Sequence, residues 1–426
     1  MSTETRLARE RGRGPGPELD AAERPRALTT GAGVFAATLS CLIAVGAVLP
    51  VLPRYVRGPA GGGDFEVGLV IGAFAFTAVI GRPLAGRLAD LRGRRPVLVV
   101  GALVMAGAGG LLFLPAGVGD LVGARLVLGA GEGVVFTAGA TWAVDLAPPG
   151  RQGQAIGLFG LSVWSGLTLG PLAGEGLFAL GGYDAVWALA ALAPLVGAAV
   201  AARLVDPHRP TVGERQRLRP SAVIGPGSAL ALANIGYATL ASFVVLFLAH
   251  RHIGHGAEVF TAFAASVVGT RLLVARLPDR IGARASAVSA ALAEAAGLAL
   301  IALAHSWPLA VAGGVVMGTG FSLLYPSLAL AVIQRVPVER RGAALGGFTA
   351  FFDAGMGLGG PIAGGLAALG GYADAFWAAA LIAVLASVVA GLSAGTPGGV
   401  GAPRASTAPG ASGAGASGAG GEAPAV

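Results

Sequence analysis

Two long apolar runs, Val67 to Ala85 and Pro96 to Gly117, are separated only by the turn Gly86-Arg87-Leu88-Ala89-Asp90-Leu91-Arg92-Gly93-Arg94-Arg95. Each run is close to the roughly 20 residues that a helix needs to cross a bilayer. The stretch therefore reads as two spans joined by a charged hairpin. Four arginines in so short a connection assign it to the cytoplasmic side, because positive charge in short loops stays inside.

The rest of the chain has the composition to match. It is 54% apolar and 12% charged, against about 45–50% and about 25% for an average soluble domain, so a polytopic membrane protein is expected. The net charge of +7 comes from 29 arginines and no lysine. About 23 of them fall in tails and loops expected on the cytoplasmic side, against Arg54, Arg57 and Arg251 outside. That asymmetry is bilayer orientation, and no nucleic-acid partner is inferred from it. Without lysine there is no G-x-x-x-x-G-K-[ST] phosphate loop, so no engine for ATP hydrolysis is read in the chain. The single cysteine, Cys41, excludes an internal disulfide or a cysteine-held metal, and no cofactor, metal or catalytic residue is expected. The arginine, alanine and glycine bias points to a bacterial genome of high GC content.

The charged turn occurs twice. Arg276-Leu277-Pro278-Asp279-Arg280-Ile281-Gly282-Ala283-Arg284 matches Arg87, Leu88, Asp90, Gly93 and Arg95 at an offset of 189 residues. The same offset carries Gly129 and Gly131 to Gly318 and Gly320, and Gly157 and Phe159 to Gly346 and Phe348. With one inserted residue, Gly170-Pro171-x-x-Gly174 becomes Gly360-Pro361-x-x-Gly364. A self-match of such long period means a duplicated half and not a solenoid. The turn resembles the G-x-L-A-D-x-x-G-R-R/K loop of the major facilitator superfamily, where it joins helices 2 and 3. The resemblance implies an all-α integral membrane fold of twelve transmembrane helices in two pseudo-repeated halves of six.

The expected spans are 31–56, 65–85, 96–117, 120–144, 154–179 and 185–205, then 226–250, 257–275, 285–305, 308–334, 342–368 and 373–395. They give an N-terminal half over 29–205 and a C-terminal half over 222–395. Residues 1–28 read as a polar cytoplasmic tail without a signal peptide, and 206–221 as a charged cytoplasmic linker. Residues 396–426, almost all Gly, Ala, Pro and Ser, read as a disordered tail. Both termini are then cytoplasmic, in a protein of the bacterial plasma membrane.

Arg125 lies inside the fourth span, and Glu132 follows seven residues later at about 20° from the same azimuth, with about 10 Å of rise. Arg125-x-x-x-Gly129-x-Gly131 resembles the helix 4 motif R-x-x-x-G-x-G of proton-coupled members, whose arginine is implicated in coupling. An Arg125–Glu132 pair that responds to protons is one reading, and a static pair that fixes packing is the other. Asp353, in the eleventh span, falls near the same depth and is a further candidate for proton or substrate contact. Glu294, in the ninth span, reads as peripheral, and Glu175 as structural. Gly157, Gly166, Gly170, Pro171 and Gly174 reproduce most of the antiporter motif of helix 5, except that its last glycine is Glu175. Close packing of glycines and bending at Pro171, with Gly360 and Pro361 as counterparts, suit a rocking interface. In the superfamily the residues matching Asp90 and Arg94 stabilise the state closed to the cytoplasm. Gly86, Asp90, Gly93, Arg94 and Arg95, with Asp279 and Gly282, are thus an expected latch, Asp90 meeting the start of the eleventh span near Arg341 and Gly342.

These likenesses point to the twelve-span drug:proton antiporter branch: a secondary transporter, monomeric, with a small molecule, protons and the lipid bilayer as partners. Proton-coupled uptake or facilitated transport of a metabolite is an alternative in the same fold. A non-transporting membrane sensor or scaffold is the alternative outside it.

Overall fold

A computed structural model of the chain describes residues 23–114, 117–148, 151–206, 221–274, 277–336 and 341–394. Regular structure among them is entirely helical. The long helices are α1 (Glu23–Val48), α2 (Asp64–Arg92), α3 (Arg94–Leu111) and α4 (Val118–Asp145). The element Gln152–Ala202 follows, then α7 (Ser221–His250), α8 (Gly256–Val274), α9 (Ala283–Ala302), α10 (Trp307–Ile333), α11 (Arg341–Gly370) and α12 (Tyr372–Ala394).

Gln152–Ala202 is 51 residues long, about 75 Å at 1.5 Å per residue, more than twice a hydrocarbon core of roughly 30 Å. Gly181 and Gly182, the latter at φ 63°, leave helical geometry and divide it. We label the part before the break α5 and the part after it α6, which gives twelve long segments among the described residues. The expected spans correspond to them within a few residues, except that the third ends at Leu111 and the first is interrupted. The first helix stops at Val48, bonds of the i to i−3 type run through Leu49 and Val51, and a short helix, Leu52–Arg57, finishes the crossing. Pro50 and Pro53, which lack the amide a continuous helix needs, account for the interruption.

Local signals set the other ends. Glu66 accepts from the amide of Gly63 at 2.9 Å, and Asp120 from that of Gly117 at 3.2 Å. Both acids thereby cap the starts of α2 and α4, where the helix dipole favours negative charge. Gly93 and Gly282 stand at φ 95° and 85°, a region that costs glycine least. Each ends one helix and lets the next start at the following residue.

Helices α1 to α6 pack mainly on one another, and so do α7 to α12, while α2–α11 and α5–α8 are the main seams between the two groups. The glycine ridge of α5 does not line a seam. Gly166 and Gly170 lie on Leu42 and Gly46 of α1, with an added Cβ at Gly170 only 2.6 Å from the Cα of Gly46, and Gly174 lies on Ala47. Gly157 has open space within 4 Å, so the helix contact expected of it is not made. The corresponding ridge of α11 does line a seam, because Gly360 and Pro361 pack on Gly68 and Gly72 of α2. Pro171 and Pro361 both sit inside their helices.

Large apolar side chains cover the outside, among them Leu180, Leu273 and Leu369, each at least 86% exposed. Such a surface suits hydrocarbon and not water. Residues 1–22, 207–220 and 395–426 lie outside the described residues, and with them most of the expected N-terminal tail and linker and the whole of the C-terminal tail.

Candidate functional site

Three charged side chains meet within the helical body where α2, α4 and α11 adjoin. Nη2 of Arg82, on α2, donates to Oδ1 of Asp353 on α11 at 2.9 Å, and its Nε lies 2.6 Å from Oδ2. The same Nη2 is 3.6 Å from Oε2 of Glu132 on α4. The guanidinium carbon stands 4.3 Å from the centre of the Phe136 ring, which covers one of its faces. The Asp353 side chain is 2% exposed and that of Glu132 9%. A charge at the centre of a span costs at least about 2.5–3.5 kcal/mol on insertion scales, so groups like these are kept only in company.

Glu132 and Asp353, picked separately by depth in the sequence, are thus brought onto one cation that the sequence reading passed over. Glu132 is paired with Arg82 and not with Arg125. Seven residues of α4 separate Arg125 from Glu132 by about 10 Å along the axis, and each finds a nearer partner on α2. Arg125, 1% exposed, donates from Nε to the carbonyl of Val70 and from Nη2 to that of Ile71, both at 3.2 Å, with its guanidinium 4.9 Å from the Phe74 ring centre. Those bonds fasten α4 to α2. The signal that could have found Arg82 was in the sequence: after the arginines of loops and tails, and Arg54 and Arg203 within two residues of the ends of their expected spans, Arg82, Arg125 and Arg271 are left inside spans.

Other acids have different surroundings. Glu294, on α9, is fully buried, and neither carboxyl oxygen has a hydrogen-bond partner among the described residues. It lies against Gly236 of α7. Glu175 forms an ion pair with Arg54, and His255 Nδ1 lies 2.8 Å from Oε1 of Glu258. Both pairs line a cavity of about 430 Å³ that also touches Pro171 and Thr261.

The charged turn is tied to its own group of helices. Arg94, 7% exposed, donates from Nη1 to Asp90 at 2.6 Å and from Nε to Asp145, at the end of α4, at 2.9 Å. The amide of Arg95 donates to Asp206 at 2.9 Å, and its Nη1 to the carbonyl of Leu204, just past α6, at 3.4 Å. Gly86 has only an ordinary approach to Thr137, at 3.8 Å from an added Cβ. The side chains of Asp279 and Arg341, and the surroundings of Gly342, lie outside the described ones, as does Arg276.

The chain resembles known proteins along most of its length. A family model described as Major Facilitator Superfamily matches residues 34–257 and 227–414. An uncharacterized MFS-type transporter of Salmonella typhimurium is 33% identical over 369 residues, covering 84% of this chain and 94% of the relative. One from Burkholderia mallei is 33% identical over 363 residues, covering 82% and 88%. Among solved structures, the human organic anion transporter MFSD10 superposes with a TM-score of 0.67 at 18% identity, over 85% of this chain and 99% of its own. The nucleoside transporter NupG superposes with a TM-score of 0.68 at 16% identity, over 86% and 98%. At such identities the structural likeness is one of fold alone.

Proposed function

The chain belongs to the Major Facilitator Superfamily, and from that premise we propose that it exports a small molecule in exchange for protons, by alternating access. It is a multi-pass membrane transporter and not an enzyme. In our reading Arg82, Glu132 and Asp353 are the coupling group. The observation that carries it is two buried carboxylates, one from each group of six helices, converging on one guanidinium.

Charge counting gives the mechanism. Two carboxylates and one arginine leave a net negative charge in a site poor in water, and a single proton on either acid balances it. With the proton on Glu132, Arg82 is free to hold Asp353 and the α2–α11 seam stays closed at this level. With the proton on Asp353, the bond across the seam loses its charge assistance and Arg82 turns to Glu132. Movement of the proton between the acids thus biases which arrangement of the two halves is the more stable, which is what coupling requires. Asp353 makes the closer contacts, so it carries the larger share.

The Gly93 and Gly282 turns face the cytoplasm in this reading, on the strength of the arginine bias, with both termini on that side. Export rests on the helix 5 likeness around Gly166, Gly170, Pro171 and Gly174. Their packing on α1 is equally suited to uptake, so direction has to be measured. Inside-out vesicles with an imposed interior-acid gradient and a trapped pH dye are challenged with a compound library. A substrate of the exporter discharges the gradient with wild-type protein, and Asp353→Asn abolishes the discharge. A wild-type discharge rate in Asp353→Asn removes the coupling role, and gradient-driven uptake only in the opposite orientation reverses the direction.

A further inference from the structure

The repeat that relates the two halves also relates their buried charges. An offset of 189 residues carries Arg82 to Arg271, Phe136 to Tyr325 and Glu132 to Phe321, and the same offset carries Trp164 to Asp353. The site around Arg271 therefore keeps the arginine and has aromatic rings, Phe321 and Trp164, where the site around Arg82 has its two acids. The coordinates obey the same correspondence. Arg82 reaches across the α2–α11 seam to Asp353, and Arg271 reaches across the α5–α8 seam to Trp164, with its guanidinium 5.7 Å from a ring centre.

Arg271 thus has a ring to stack on and no counter-ion. No carboxylate among the described residues forms an ion pair with it, and its buried Nε has no hydrogen-bond partner there. The residue as a whole is half-buried. Its Nη1 lies against Gly160 of α5, where an added Cβ would stand 2.8 Å away, and the glycine leaves the cation its room. Tyr325, the counterpart of Phe136, has its hydroxyl 2.9 Å from Oγ1 of Thr349. On its far side Trp164 meets Tyr237, Phe263 and Phe321 edge to face, which holds the indole in place.

A guanidinium packed in a seam between spans without an internal partner is costly unless something else supplies the charge. A planar, weakly hydrated fork matches a carboxylate or sulfonate, and a fixed indole beside it matches an apolar ring. We propose that Arg271 anchors the anionic group of the transported molecule, an aromatic monocarboxylate or monosulfonate whose ring packs beside Trp164. The proposal rests on the reading of this chain as a small-molecule transporter, and it names the substrate class.

The test is equilibrium binding to the purified full chain in detergent, without any gradient, so its failure is separate from a failure of proton coupling. Titration calorimetry uses benzoate, 1-naphthoate and naphthalene-1-sulfonate, with benzamide and benzylamine as neutral and cationic matches. The anions bind saturably, and the matches at least about tenfold more weakly. Arg271→Gln reduces anion binding at least about tenfold, and Arg271→Lys recovers part of it. Trp164→Asp, which installs the carboxylate found at the equivalent position 353, gives Arg271 an internal partner and also removes anion binding. Retention of the thermal transition in either variant excludes misfolding as the cause. Equal binding of anion and amide, unchanged binding by Arg271→Gln, or no anion binding into the millimolar range overturns the proposal. Arg271-dependent binding of chloride or sulfate without the aromatic anions overturns it too, because the ligand is then an inorganic ion.

Discussion

The α2–α11 and α5–α8 seams occupy equivalent places in a duplicated bundle, yet they are built from different materials. In the first, glycines face glycines, with an added Cβ at Gly72 only 2.7 Å from the carbonyl oxygen of Gly357, and an arginine meets its acid across the gap. In the second, Trp164 meets Phe263 with ring centres 6.4 Å apart, and Arg271 crosses without an acid. A cavity of about 430 Å³ lies farther along, beside Pro171 and Glu175. Duplication keeps a backbone frame and the position of an arginine, while what surrounds that arginine is free to diverge. In our reading the first seam became the coupling group because its arginine meets acids within the protein. The second became a substrate anchor because its arginine does not.

The difference is tested most severely by removing each arginine. Arg82→Gln leaves two buried carboxylates without their cation and is expected to abolish transport and to lower stability by about 3–5 kcal/mol, the usual cost of breaking a buried pair. Arg271→Gln removes a charge that had no internal partner, and its stability should stay within about 1 kcal/mol of wild type. Thermal unfolding of the two purified variants makes the comparison, and equal losses would dissolve it. The seams are next. Gly360→Ala puts a Cβ onto the backbone of Gly68 and Gly72, and overpacking of this kind costs about 1–3 kcal/mol. A lowered unfolding temperature together with slowed flux is the expected result, and unaltered flux would mean that this seam does not move during transport. Gly157→Ala should have the smallest effect. Nothing stands within 4 Å of that position, and alanine in a helix interior gains about 0.5–1 kcal/mol over glycine. A destabilised Gly157→Ala protein would mean that the α5 ridge has a contact in another state.

The turns at Gly93 and Gly282 and the twelve segments were legible because their causes are local. An apolar run of the right length, a glycine at positive φ, and an acid at a helix start each act within a few residues. The interruption of α1 has a local cause as well, the missing amides of Pro50 and Pro53. The site was legible only in part. Glu132 and Asp353 stood out because an acid in an apolar run is rare, and depth could be counted from the helix ends. Arg125 stood out through a motif, and the motif drew attention away from Arg82. Azimuth and rise along α4 suggested that Arg125 faces Glu132, but residues on one helix face two turns apart do not touch when a neighbouring helix offers nearer partners.

By itself the sequence determined that this chain crosses a membrane as helices, that its halves are copies, and where the chain turns. Those outcomes follow from composition and from the covalent geometry of short segments, which the fold cannot overrule. Which charges meet was decided by tertiary structure alone. Arg82 and Asp353 are 271 residues apart, and their 2.6 Å contact exists because glycines let α2 and α11 approach closely and because each helix is rotated to face the seam. Rotation and approach are properties of packed pairs of helices. No single span encodes them, which is why Arg125, Arg82 and Arg271, alike as arginines in apolar runs, ended with backbone carbonyls, with two acids and with an indole.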